Sequence, residues 1–123
     1  MTPEEKQLLL IDLCARLPYN DYKVQIKEEE DDIPRISKLV PSYIDDIKYC
    51  SIASIKVYLR PMSSMTEEEE NEYYALEELS RKKSNHGIDI LDWLNSHYFD
   101  YRGLIEKGLA IEVTEENNPY NMN

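Results

Sequence analysis

His97 and Asp100, three residues apart, are the pair in this 123-residue chain whose types and spacing suit acid–base work. A carboxylate is one of the partners that can fix an imidazole's tautomer. Cys50 is the distant candidate nucleophile for such a pair. A plainer reading accounts for the same residues: a partly buried His97 beside Trp93, and an Asp100 that caps a helix. Metal chemistry has still less behind it. The two His are isolated, and no HExxH, DxDxDG or CxxC string occurs. Asp45-Asp46 and Asp89/Asp92 read as surface and cap residues. The three Gly, at 87, 103 and 108, form neither a P-loop nor GxGxxG and fall at expected helix boundaries. No catalytic, cofactor-binding or metal residue is assigned, and the chain is read as non-enzymatic.

Those residues lie in a chain of one-domain size, 1–123, with possible sub-parts 1–61 and 66–114. Net charge is −11, unevenly spread: residues 1–60 hold 9 basic and 11 acidic groups, residues 61–123 hold 5 and 14. A surface like the second half repels phosphate and suits a basic partner. There is no apolar run of membrane-spanning length and no basic-then-apolar leader, so the expected address is the cytosol. Cys14 and Cys50 are expected as buried or half-buried thiols.

The elements follow from periodicity. Thr2-Pro3-Glu4-Glu5 is a capping box opening a helix that Leu17-Pro18 closes. Tyr22, Val24 and Ile26 alternate with Lys23, Gln25 and Lys27, a half-buried strand. Glu28–Asp32 is expected as a solvated hairpin tip, Ile36–Val40 as the return strand and Tyr43–Tyr49 as a third. Ile52, Ile55 and Leu59 suggest a turn or two of helix ending at Arg60-Pro61. Thr66 and Glu69 form a second capping box, for a helix to about Lys83 striped by Tyr73, Leu76 and Leu79. Ile90, Leu91, Leu94 and Tyr98 give the next helical face. Asp100 then caps a short helix from Tyr101 to Lys107, and Gly108 takes a left-handed residue. Leu109–Val113 is a terminal strand, and 115–123 a frayed tail.

YLRPMSSMTEEE (58–69), WLNSHYFDYRGLIEKGLA (93–110) and EEKQLLLIDLCARLPY (4–19) resemble a family of short proteins of unassigned activity from gut Bacteroidales genomes and their phages. The three strings cover about two-fifths of the chain. Val57 and Tyr98 depart from that family's pattern, which often carries Pro and His there, and this argues against a metal role near His97. The resemblance implies a phage or mobile-element context in a bacterial cytosol.

Ten Tyr against one Phe suggest aromatic groups that stay partly wet, as interface anchors do. Trp93, Tyr98, Tyr101 and Arg102 are the candidate interaction surface. The order helix–helix–strand over 88–113 suggests a winged helix, but residues 100–108 offer only Arg102 and Lys107 against Asp100 and Glu106. The alternative nucleic-acid face is Arg35, Lys38, Lys48, Lys56 and Arg60. The expected architecture is α+β: an N-terminal helix, a small antiparallel meander, then a helical half with a terminal strand. The expected function is a protein-interaction or regulatory module, in a narrower form an acidic inhibitor of a nucleic-acid-binding protein. The alternative is a small nucleic-acid-associated protein.

Overall fold

The structure, a computed structural model, describes residues 2–19, 21–28, 33–49, 53–82 and 87–120. Cys50, Ile52 and the hairpin tip 29–32 lie outside them. Helix α1 (Pro3–Arg16) starts on the capping box: Glu5 N–H donates to Thr2 Oγ1 at 3.1 Å, and Thr2 N–H to the Glu5 carboxylate at 2.9 Å. Its inner face buries Leu9 and Leu13 completely. Cys14 sits on the exposed side, not among buried thiols, because the inward positions of that turn belong to Asp12, Leu13 and Arg16.

Strands β1 (Lys23–Glu28) and β2 (Arg35–Lys38) form the expected antiparallel hairpin, with Lys23 opposite Lys38 and Gln25 opposite Ile36. Two expectations then exchange places. Residues 41–49 are helix α2 (Pro41–Tyr49), not a third strand. A strand there would place Asp45 on one face with Ile47, whereas a helix buries Ile44 with Ile47 and leaves Asp45 and Asp46 in water. Residues 53–61 are strand β3 (Ala53–Pro61), not a helix. Ile55 and Leu59 fit either period, but Val57 between them completes an inward row that only a strand provides.

The chain is therefore a mixed α+β structure in which β3 pairs antiparallel with β1, Val24 opposite Val57 and Gln25 opposite Lys56. The strand order is β2-β1-β3, with α2 connecting β2 to β3. Strands β4 (Phe99–Asp100) and β5 (Ala110–Glu112) run parallel to β3 along its other edge. One sheet thus joins the two sub-parts. Its inner face buries Val24, Ile26, Ile55, Val57 and Leu59 with Leu9 and Leu13 of α1 and Ile44 and Ile47 of α2. Each such side chain contributes about 1.5–3 kcal/mol of transfer free energy.

Helix α3 (Glu67–Lys82) opens on the second capping box, with Glu69 N–H on Thr66 Oγ1 at 3.1 Å and Thr66 N–H on Glu69 at 2.9 Å. Its Tyr73, Leu76 and Ser80 are half-buried toward α4 (Gly87–Ser96), and none of its residues is fully buried. Tyr98, two residues beyond α4, lies in the left-handed region, φ 67°. Residues 101–108 do not form the expected helix: 104–108 are turns, with Gly103 and Gly108 at φ 76° and 75°. The carboxylate of Asp100 still acts as a cap, accepting the N–H groups of Leu104 at 3.0 Å and Ile105 at 2.9 Å. Two left-handed glycines in six residues close the segment before a helix can propagate. The tail is not frayed as far as Tyr120. That ring stacks on Tyr98 at 3.8 Å, and its hydroxyl donates to the Tyr58 carbonyl at 2.7 Å.

Candidate interaction surfaces

The most elaborate polar cluster is inside the molecule. Asp12 and Arg16, one turn apart on α1, are fully buried. Arg16 Nε donates to Asp12 Oδ2 at 2.7 Å, and its Nη2 to Asp12 Oδ1 at 3.0 Å and the Phe99 carbonyl at 2.9 Å. Its Nη1 donates to the Tyr22 hydroxyl at 2.7 Å, which in turn donates a hydrogen bond to the Asn95 carbonyl. Burial alone opposes the charge on Arg16, but the bonds and charge of Asp12 outweigh it and hold the guanidinium more firmly protonated than usual. Burial likewise raises the Tyr22 hydroxyl. Arg102 closes the cluster, donating to Asp12 at 2.7 Å and lying 4.7 Å from the Tyr101 ring centre. Among the described residues no buried side-chain nitrogen or oxygen lacks a partner. Such a network fixes how α1, β1, α4 and β4 meet.

The four residues read as an interaction surface are drawn into these contacts. Tyr101 donates to the Asn95 side chain at 2.8 Å, and Arg102 lies beside it. Tyr98 donates to Asp21 at 2.6 Å and meets Tyr22 edge-on at 5.0 Å. Trp93 donates from Nε1 to Glu72 at 2.9 Å and stands in a column with Tyr73, His97 and Phe99. His97 Nδ1 points at the Trp93 carbonyl at 2.8 Å, so His97 and Asp100 serve separate partners. All four residues are half-buried.

The basic residues divide in a different way. Arg60 is bidentate on Glu69, at 2.7 and 2.8 Å, and covers the Phe99 ring at 4.2 Å. Those bonds hold the Glu69 carboxyl down at about 2. Arg35 reaches Glu28 at 3.6 Å at the hairpin end, and Lys48 lies near the end of α2. Lys38, Lys56 and Arg60 share the outward side of the sheet, but Glu69 engages Arg60 there, which leaves Lys38 and Lys56. The register adds Lys23 and Lys27 to them, two residues absent from the sequence-based face. Their signal was the alternation itself, since residues interleaved with Tyr22, Val24 and Ile26 must point the other way. A shallow depression lined by Gln25, Lys27, Ser54, Lys56 and Ile111 lies on this side.

No protein-family model, curated protein or solved structure matches the chain. Its surfaces therefore have to be read from their own chemistry. Among the described residues no group of three or more His, Cys, Asp or Glu is placed to hold a metal ion. No described helix is long and apolar enough to cross a membrane.

The other surface of note is the outer side of α3. Glu69, Tyr73, Leu76, Glu77 and Ser80 turn toward the body of the molecule, half-buried. Glu67, Glu70, Tyr74 and Glu78 recur at spacings of three and four, so they form one exposed ridge. Tyr74 is 61% exposed in the middle of it. Glu68 flanks the ridge, and Arg81 at its far end approaches Glu77 and Glu78 at 3.9 and 3.6 Å.

Proposed function

We propose that this chain is a non-enzymatic protein-interaction module, of the phage or mobile-element kind, that docks on a basic partner surface through the outer ridge of α3. The observation that carries the reading is an exposed tyrosine set among glutamates on a sixteen-residue helix that fully buries none of its residues. A helix gains most of its stability from packing an amphipathic face. Here one face rests on α4 and the other is free for a second partner. Tyr74 has the size and amphipathic character of an interface anchor, and the carboxylates around it favour encounter with lysine and arginine. The acidic ridge supports the narrower reading too: an inhibitor occupying a surface that otherwise receives nucleic acid.

The experiment is affinity capture from the native cytosol with and without nuclease, repeated at low and high salt. A single protein partner retained after nuclease and released by salt is the expected result. Recovery that disappears with nuclease would instead make the chain a nucleic-acid-associated protein.

A further inference from the structure

A second surface has the opposite sign. On β1, β2, β3 and β5, strand alternation and register place Lys23, Lys27, Lys38 and Lys56 on the outward side of the sheet. The acidic residues of these strands, Glu28 and Glu112, fall on the inward rows, opposite Ala53 and Leu59. In a chain with 25 acidic and 14 basic residues, a sheet side whose charged positions are mostly lysine is a marked local inversion. At its Arg60 end this side is closed by Phe99 and Glu69. Toward the other end it is open, with Lys27, Ile36 and Ser54 exposed and Lys56 half-buried, bordered by exposed Lys38 and half-buried Ile111 in the row level with Tyr58.

We propose that this open end is a docking surface for an acidic polypeptide segment. Its carboxylates would meet Lys27, Lys38 and Lys56, and its apolar side chains would cover Ile36 and Ile111. Ile36 and Ile111 lie on the two flanking strands, β2 and β5, separated across the sheet by three strand spacings of about 4.8 Å each and offset along it from the level of Lys56 to that of Tyr58. Between them the lysines supply charge with Gln25 and Ser54 as hydrogen-bonding groups. Charge in the centre with an apolar residue at either side suits a peptide carrying both acidic and aliphatic residues. A single nucleic-acid strand is served less well. Among the described residues the open face exposes no aromatic ring on which bases can stack, and no arginine fork for phosphate. The surface shares no residue with the α3 ridge, so it stands apart from the reading above.

The test is titration of the isotope-labelled full chain, followed by amide NMR, with a synthetic peptide of mixed Glu and Leu. Poly-L-glutamate and an oligodeoxythymidylate of equal charge are the comparison probes. The Glu/Leu peptide should saturate and shift the amides of Gln25, Lys27, Ser54, Lys56 and Ile111. K27Q/K56Q should weaken it about tenfold, the scale of two lost charge contacts. Ile36→Ser, a surface change, should weaken the Glu/Leu peptide and leave poly-L-glutamate unaffected. Absence of saturable binding, shifts confined to other elements, or tighter binding of the oligodeoxythymidylate at the same residues would overturn the proposal.

Discussion

Arg16 lies one helical turn from Asp12 with both side chains fully buried, and two hydrogen bonds of 2.7 and 3.0 Å join them. A buried pair of this kind need not stabilise a fold more than an apolar pair of the same volume. Breaking it is another matter, because the charge left behind has no water. Asp12 also receives Arg102, so its loss strands two guanidinium groups. Asp12→Ala should therefore cost about 3–5 kcal/mol. Urea unfolding followed by circular dichroism measures it, and a loss below about 1 kcal/mol would contradict the account.

Asp100 makes a smaller, separable contribution. Its two oxygens hold two backbone N–H groups in a buried turn, so Asp100→Ala should cost about 2 kcal/mol. Asp100→Asn keeps one acceptor and should recover about half of that. Equal melting temperatures for the two variants would show that the bonds are not what Asp100 supplies.

The acid limb of stability should report Glu69. The bonds from Arg60 depress its carboxyl in the folded state from 4.5 to about 2. The stabilisation is fully present above the unfolded value near 4.5 and is lost as pH falls through about 2. Glu69→Gln should lie below wild type at neutral pH and converge on it as the solution approaches the lower value. Parallel curves throughout that window would exclude the Arg60–Glu69 pair as the cause.

The helix ends were legible in the sequence because a capping box is a local code, and Thr2/Glu5 and Thr66/Glu69 read correctly as strings. The alternation at 22–27 was equally local. The exchange between 43–49 and 53–61 came from short apolar runs, where spacings of four satisfy both a helix and a strand. Asp45 against Ile47, and Val57 between Ile55 and Leu59, were the residues able to decide it. The α+β class survived that exchange because one helix and one strand were still counted. What no local pattern carried was long-range pairing. The partnership of Arg16 with Phe99 and that of Tyr120 with Tyr58 and Tyr98 join residues far apart in the chain. For that reason the reading of Trp93, Tyr98, Tyr101 and Arg102 as partly wet interface anchors carried no sign of the partners each has within the chain.

Tyr120 offers a direct check on that long-range closure. Tyr120→Ala removes the Tyr98 stack and the bond to the Tyr58 carbonyl, and should cost about 2–3 kcal/mol. Hydrogen exchange at residues 113–120 should rise with it. An unaltered exchange pattern would mean that the tail is held by other contacts.

The central claim, that the α3 ridge is a protein-binding surface, is tested most directly by E70K/Y74A. Neither residue is buried, so the melting temperature should change by little, as surface substitutions do. Capture of the nuclease-resistant partner, measured side by side with wild type at equal protein concentration, should fall at least about tenfold, as loss of an interface anchor predicts. Undiminished capture by a correctly folded E70K/Y74A chain would contradict the claim.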